Sequence, residues 1–323
     1  VKSISFGKPM LDERERNAVQ EVLLGDILVH GPRAKEFETK FASYVKASYS
    51  TSVSNCTAAL HLCYFYFNIG KGDEVIVPAQ THNATAHAVE LTGAKAVFVD
   101  AELETGNIDI SQIESAITSK TKAISVVHYL GMPVEMDKIL TIADRYNLKV
   151  IEDCALAVGS YYKGIHMGLH GDAGCFSFYP VKHFTTGEGG MLISRHQQMV
   201  EKVSRQKAFG VDRTASERTI PGMYDVTMLG FNYRMSEIHA AIGIIQLDKI
   251  DSFLKTRKQN YEYLSKKLQE ISEISIFKSS AGEFQSSYYC HSILLNEKIS
   301  NKRFEIVNFL KTNGIGTSIY YPR

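Results

Sequence analysis

The chain has 323 residues, 44% of them hydrophobic, and 36 lysines and arginines against 35 aspartates and glutamates leave a formal charge of +1. That length allows two domains or one large α/β domain with an appendage, and the charge balance excludes a global pull toward nucleic acid or an anionic membrane. The five cysteines form no CxxC pair and no apolar run reaches the ~20 residues of a membrane helix, so a cytoplasmic protein with reduced thiols is expected.

The opening stretch, VKSISFGKPMLDERERNAV, is too charged for a secretory leader. At 52–60, SVSNCTAAL is a small polar turn entering an apolar helix, with Thr57 near its start. Such a helix end offers free N–H groups and a favourable dipole to a phosphate, though an ordinary cap would use the same residues. Strand-like runs follow at 74–79, 95–100, 123–130, 149–155, 174–180 and 190–195, with helical periodicity at 82–92, 110–118 and 135–147. Continuous rather than alternating apolar strands imply that both sheet faces are covered. The expected architecture is α/β, with a mostly parallel central sheet covered by helices on both faces. The last two runs, joined by a loop, admit an antiparallel neighbour. One long helix is predicted over 235–271, followed by SYYCHSILL at 287–295, a helix at 302–313 and a final TSIYY. These outline a smaller C-terminal α+β domain. The expected division is a large cofactor-binding domain at 1–249 and a small domain at 250–323.

Ligands of open α/β sheets gather beyond the carboxyl ends of the strands. There the sequence places Pro78, Gln80, Thr81 and His82, then Glu152 and Asp153, then Ser177 and Lys182. Asp153 has apolar neighbours on both sides, and a buried carboxylate needs a partner: an arginine, a helix cap, or the protonated ring nitrogen of an electron-sink cofactor. Lys182 ends a buried strand-like run, and desolvation lowers a lysine's pKa, freeing a neutral amine for a Schiff base with an aldehyde. A phosphate-binding helix start, a strand-end aspartate, a strand-end lysine and a planar side chain, His82, together match what pyridoxal 5′-phosphate requires. Other chemistries find less support. His166 and His170 lie in the glycine-rich GIHMGLHGD, His82 and His87 are five apart, and no HExxH occurs, so no metal site is expected. There is no GxSxG elbow, and TGEGG lacks the dinucleotide-binding spacing. Gly187, Gly189 and Gly190 are expected to permit a sharp turn, with Glu188 holding it through backbone N–H groups. Arg234 is expected to pair with an acid at a helix start.

In the order SNCTAALHL, PAQTHNATAHAVELTGAKAVFVD, IEDCALAVGS, FSFYPVKHFTTGEGGMLIS and GFNYRMSEIHAAIG, the chain resembles the DegT/StrS-type nucleotide-sugar aminotransferases, which are fold-type I pyridoxal-phosphate enzymes. VHGPRAKEFETKFASYV at 29–45 resembles that family's opening segment. The resemblance implies that Lys182 is the Schiff-base lysine and Asp153 the partner of the pyridine nitrogen. It implies phosphate contacts from Thr57, Ser177 and the backbone around Cys56 and Ala58, with His82 over the cofactor ring. Asn232 corresponds to an asparagine that reaches the phosphate of a neighbouring subunit, which implies a homodimer with shared sites. Two residues depart from the pattern: Cys56 replaces the usual glycine or serine, and Leu156 replaces a glutamine or histidine. The family also continues beyond the YYPR at which this sequence stops, so a truncated small domain is expected.

The reaction expected from the resemblance is a two-stage transamination in deoxyamino sugar and O-antigen or other polysaccharide biosynthesis. L-glutamate would leave its amino group on the cofactor, giving pyridoxamine 5′-phosphate, and a keto group of a nucleotide-linked deoxysugar would receive it. Lys182 and Asp153 are the catalytic pair of that expectation. Tyr320 and Tyr321 either line the substrate pocket or belong to the small-domain core. Two alternatives are a pyridoxamine-dependent sugar dehydratase, which uses histidine in place of the lysine, and a cofactor-binding regulatory protein. His183 invites the first, but stands one residue beyond the lysine position and is expected to be a loop residue.

Overall fold

The computed structural model describes residues 3–212, 220 and 223–321. Helix α1 (Glu13–Leu23) begins at a capping box, in which Asp12 accepts the Arg14 amide and Glu15 reaches back to the Asp12 amide. Helix α2 (Pro32–Val45) carries proline in its first turn, where no N–H is needed. Strand β1 (Tyr49–Val53) leads into α3 (Cys56–Tyr66). Then β2 (Glu74–Pro78), α4 (Asn83–Glu90), β3 (Lys95–Val99), α5 (Ile110–Ala116), β4 (Thr121–Val127), α6 (Met136–Tyr146) and β5 (Lys149–Asp153) alternate as the sequence pattern predicts. A short hairpin, β6 (Tyr161–Tyr162) and β7 (Ile165–His166), precedes β8 (Ala173–Ser177), β9 (Gly190–Ser194) and α7 (Gln197–Gln206).

The seven-stranded sheet has the order β1-β9-β8-β5-β4-β2-β3. β9 runs antiparallel to both neighbours, and the remaining pairs are parallel. Both faces are buried, because adjacent residues of one strand enter different cores. Val150, Phe176 and Ile76 join Phe37, Phe41 and Met136 on one side, while Ile151, Cys175 and Val75 join Leu60 and Val89 on the other. This is why the strands are apolar throughout.

The helix predicted over 235–271 is two: α8 (Glu237–Asp248) and α9 (Ile250–Leu268). The break falls at Lys249, whose ammonium is drawn to Glu15 at 2.5 Å and Asp12 at 2.8 Å at the start of α1. The two helices also have different surroundings. Helix α8 is apolar over much of its surface and packs on α1 and α2, whereas α9 is largely exposed. We propose that the division between 1–249 and 250–323 lies at this break.

After α9 come β10 (Ile274–Ile276), β11 (Phe284–Gln285), β12 (Ile293–Leu295) and α10 (Arg303–Thr312). β12 pairs with β10, while β11 pairs with β6 of the preceding hairpin. Most of the expected strand at 287–295 is therefore not sheet. Its first half turns inward, where the Ser287 amide donates to the Gly131 carbonyl and the Ser287 hydroxyl to the Leu156 carbonyl. No helix among the described residues is long and apolar enough to cross a membrane.

Glu152 shows how the sheet's polar interior is satisfied. It is fully buried and accepts the Gly168, His170 and Gly171 amides at 2.7, 2.8 and 2.6 Å, with His128 Nε2 at 3.0 Å. His128, Glu152 and Cys154 lie close together, but these bonds account for the carboxylate without a metal ion. Burial pushes the Glu152 pKa up, yet His128 and the backbone donors outweigh it and hold the group below the ordinary carboxylate value. Stability from this ionisation is present above the unfolded pKa and is lost as pH falls through the lower folded value. Glu152→Gln should cost about 3 kcal/mol at neutral pH. It should also flatten the acid limb of stability below about pH 4.5, which urea titration at several pH values reads. An unchanged acid limb would show that Glu152 does not carry this dependence.

Candidate active site

The carboxyl ends of β5 and β8 lie side by side, and the start of α3 and the loop entering α4 approach the same end of the sheet. Asp153, 6% exposed, closes β5. Its Oδ2 accepts the Thr85 hydroxyl at 2.8 Å, and its Oδ1 accepts the Ala155 amide at 3.1 Å. The Cys56 thiol lies 3.9 Å from Oδ1, and burial followed by the nearby Asp153 charge pushes that thiol's pKa well up, keeping it neutral. No basic side chain among the described residues pairs with Asp153, so the arginine-partner reading of this carboxylate is not met. Thr85 was not among the sequence candidates. It shares a 2.8 Å hydroxyl contact with Thr81 one helical turn earlier, and that i, i+4 threonine spacing was the available signal.

Lys182 follows β8 in a loop fixed at several points. Phe178 donates its amide to Gly189 and accepts bonds from the Thr185 hydroxyl and the Thr186 amide. Its ring stacks on Phe184 at 4.8 Å and packs against Phe37 and Phe41. The Lys182 amide donates to the Tyr179 carbonyl at 2.9 Å, closing a turn that turns the side chain inward. Among the described residues its ammonium makes no ion pair. Burial lowers its pKa, opposed by the nearby Asp153 carboxylate. Three groups thus converge: an oriented carboxylate, a desolvated amine and a neutral thiol.

At the start of α3, Asn55 caps the helix by accepting the Ala58 amide at 2.8 Å. That bond engages the Ala58 N–H, one of the backbone groups expected to meet a phosphate, and leaves the Cys56 and Thr57 amides as the donors without an intrahelical partner. A cleft of about 420 Å³ opens here, lined by Thr57, Ala58, His61, Leu91, Glu188 and Tyr233. Ser177, 8% exposed, ends β8, and its hydroxyl meets the Tyr179 amide at 3.4 Å. These donors suit a phosphate, and the Lys182–Asp153 pair suits a pyridine aldehyde, so the residues present fit pyridoxal phosphate.

His82 caps α4, its Nδ1 accepting the Ala84 amide at 3.1 Å, and its ring stands edge-on to Tyr321 at 5.7 Å. Its pKa is lowered by burial and then by the Lys182 charge, while Asp153 opposes the shift. The Tyr320 carbonyl accepts the Tyr129 hydroxyl at 2.6 Å and the Gln80 amide at 3.0 Å, and the Tyr321 ring lies 6.2 Å from that of Tyr129. Tyr320 and Tyr321 pack on a small cluster of Tyr129, Leu130, Leu156 and Tyr289. Asn232 is exposed and makes no side-chain hydrogen bond among the described residues. Its neighbour Tyr233 accepts the Ser54 amide at 2.7 Å, beside the α3 cap.

Two expectations need correction. Glu188 is exposed and its carboxylate does not hold the glycine turn; the Thr185 hydroxyl does, bonding Phe178 and Gly187. Arg234 lies over the Phe209 ring at 4.8 Å and pairs with no acid among the described residues, and the cap at the following helix is Ser236. His183 is in a loop, as expected, but is 4% exposed with both ring nitrogens unpartnered, and burial keeps it neutral.

Comparison with known proteins adds an independent line. The family model of the DegT/DnrJ/EryC1/StrS aminotransferases matches residues 9–323. A GDP-perosamine synthase of Escherichia coli O157:H7 is 38% identical over 324 residues, spanning all of this chain and 86% of that protein. One of Caulobacter vibrioides is 36% identical, covering 99% of this chain and 85% of its own. Among solved structures, Spr1654 of Streptococcus pneumoniae, provisionally named a sugar aminotransferase, superposes in its PLP form with a TM-score of 0.92 at 27% identity, over 99% of this chain and 85% of that one. The Helicobacter pylori aminotransferase PseC, involved in the biosynthesis of pseudoaminic acid, superposes with a TM-score of 0.92 at 26% identity, over 99% and 85%.

Proposed function

We propose, for a chain that belongs to the DegT/DnrJ/EryC1/StrS aminotransferase family and is a pyridoxal-phosphate-dependent nucleotide-sugar aminotransferase, that L-glutamate is the amino donor and a GDP-linked keto-deoxysugar the acceptor. The observation that carries the site assignment is the pairing, at adjacent strand ends, of a hydroxyl-oriented carboxylate with a desolvated lysine. The GDP-linked acceptor is supported by the names of the relatives that cover the whole chain.

When bound, the cofactor supplies an aldehyde that takes up amino groups and a ring that withdraws electrons from the reacting carbon. The chain's own residues do the rest. The Lys182 amine would hold the aldehyde of the bound cofactor and, once free, would act as the base that takes the proton from the donor's Cα and carries it through the exchange. Burial lowers its pKa, which favours the base form. Asp153, held by Thr85, keeps a proton on the ring nitrogen. The Cys56 and Thr57 amides, the Thr57 side chain and the Ser177 hydroxyl anchor the phosphate, helped by the α3 dipole. His82 covers the ring face, and Tyr320 and Tyr321 border the sugar. Asn232, exposed beside the α3 start, serves a partner's phosphate, so the active unit is a homodimer in the cytoplasm.

Borohydride added to the protein with pyridoxal phosphate should fix the cofactor on Lys182, located by peptide mass spectrometry. L-glutamate should then abolish the absorbance of the lysine-bound cofactor in unreduced protein, and one of a panel of GDP-linked keto-sugars should restore it. Labelling of a different lysine would overturn the site. No spectral change with any amino acid would favour the regulatory reading instead.

A further inference from the structure

Tyr289 has no role among the groups assigned above, yet it lies against both Lys182 and Tyr320. It is 3% exposed, on the inward-turning stretch that fails to form a strand. The Lys182 ammonium sits 5.6 Å from its ring centroid, within cation–π range. The His183 ring lies 5.5 Å away, and the Arg257 guanidinium 5.9 Å. The hydroxyl meets that of Tyr320 at 2.9 Å. Arg257 from α9 donates Nη1 to the Tyr289 carbonyl at 2.6 Å and Nη2 to the Lys182 carbonyl at 3.4 Å. One guanidinium thus ties together the backbones of the lysine and of the aromatic ring beneath it. Among the described residues Arg257 makes no ion pair, so these two carbonyls are its polar partners.

We propose that Tyr289 is a positioning residue for Lys182, its ring face holding the ammonium form of the amine while Arg257 clamps both backbones in register. The inference rests on the reading of Lys182 as the proton carrier and explains a need of that role. The amine must become ammonium and then give the proton up again. A carboxylate beside it would stabilise the ammonium so strongly that the proton would stay. A π face stabilises the charge modestly and offers no base to compete for the proton. The phenol itself stays neutral, because burial raises its pKa above the ordinary value. The other titratable or charged groups facing Lys182 are Cys56 of α3, Asp153 of β5, His82 at the α4 cap, His183, Arg257 of α9 and Cys290.

The test measures the protonation of Lys182 directly. The full chain freed of cofactor is pulse-labelled with acetic anhydride from about pH 7 to about pH 11, and acetylation of Lys182 is quantified by peptide mass spectrometry. Tyr289→Phe keeps the ring face and loses the hydroxyl, so its midpoint should match wild type within about 0.3 units. Tyr289→Leu loses the π face, and its midpoint should fall by about 0.5 to 1.5 units. Tyr289→Met, whose flexible side chain refills the space, is the second apolar variant should leucine not fold, with the same expected fall. A midpoint that is unchanged or raised in the apolar variants, or one that falls equally in Tyr289→Phe, overturns the proposal. Because no cofactor is involved, such a failure is distinct from failure of the cofactor assignment, which borohydride labelling reads.

Discussion

Lys182→Ala is expected to lower turnover by more than about a thousandfold while leaving cofactor binding measurable. In the proposed mechanism the loss combines two roles in one amine, which would hold the aldehyde at rest and carry the proton during exchange. The rest of the anchorage is independent of it, since the α3 amides, Thr57 and Ser177 belong to other elements. The variant should therefore bind pyridoxal phosphate with weakened affinity and without the absorbance of a lysine-bound cofactor. Fluorescence titration measures the binding, and multiple-turnover assay with L-glutamate and the matching sugar measures the loss. Full turnover in this variant would remove Lys182 from the mechanism. Fold integrity does not decide the outcome, because the loop is fixed by Phe178, Thr185 and Thr186, and the lysine contributes its backbone amide and carbonyl, which alanine retains.

Asp153→Asn should slow the glutamate half-reaction by on the order of a hundred- to a thousandfold. The amide has nearly the same shape and can still accept the Thr85 hydroxyl, so what disappears is the negative charge that keeps a proton on the ring nitrogen. Thr85→Val isolates the orientation of that charge. It removes one hydrogen bond to a carboxylate, a loss of about 1.5–3 kcal/mol, and should slow the same step by about tenfold or more. Rapid-mixing absorbance with saturating L-glutamate resolves both. A half-reaction of wild-type speed in Asp153→Asn would mean that the carboxylate serves the fold alone, through the Ala155 amide and Thr85.

The parallel sheet was legible because each strand buries both faces, and runs such as VIED and CFSF announce this by the absence of polar alternation. Lys182 and Asp153 were legible as exceptions to that pattern, charged residues at the ends of apolar strands. Thr85 was not, because a threonine inside a helix looks like any other until the sheet brings Asp153 to it. Tyr289 was hidden for a related reason. SYYCHSILL has strong strand propensity, but Ser287 is pulled inward by Gly131 and Leu156, and Tyr288 takes a positive φ of 52°. Tertiary hydrogen bonds outweighed propensity there. The division of the long helix was concealed too, since Lys249 breaks it through ion pairs to residues more than two hundred positions earlier.

The pairing of β11 with β6, with the Ser287–Leu156 bond beside it across 131 positions of chain, also bears on the order in which the molecule is made. Contacts so distant in sequence carry a large loop-closure cost and form late. The central sheet can assemble from the first two hundred residues, but Tyr289, whose ring lies beneath Lys182, is made only after that sheet. During synthesis, then, the Lys182 amine stays solvated until Tyr289 packs beneath it.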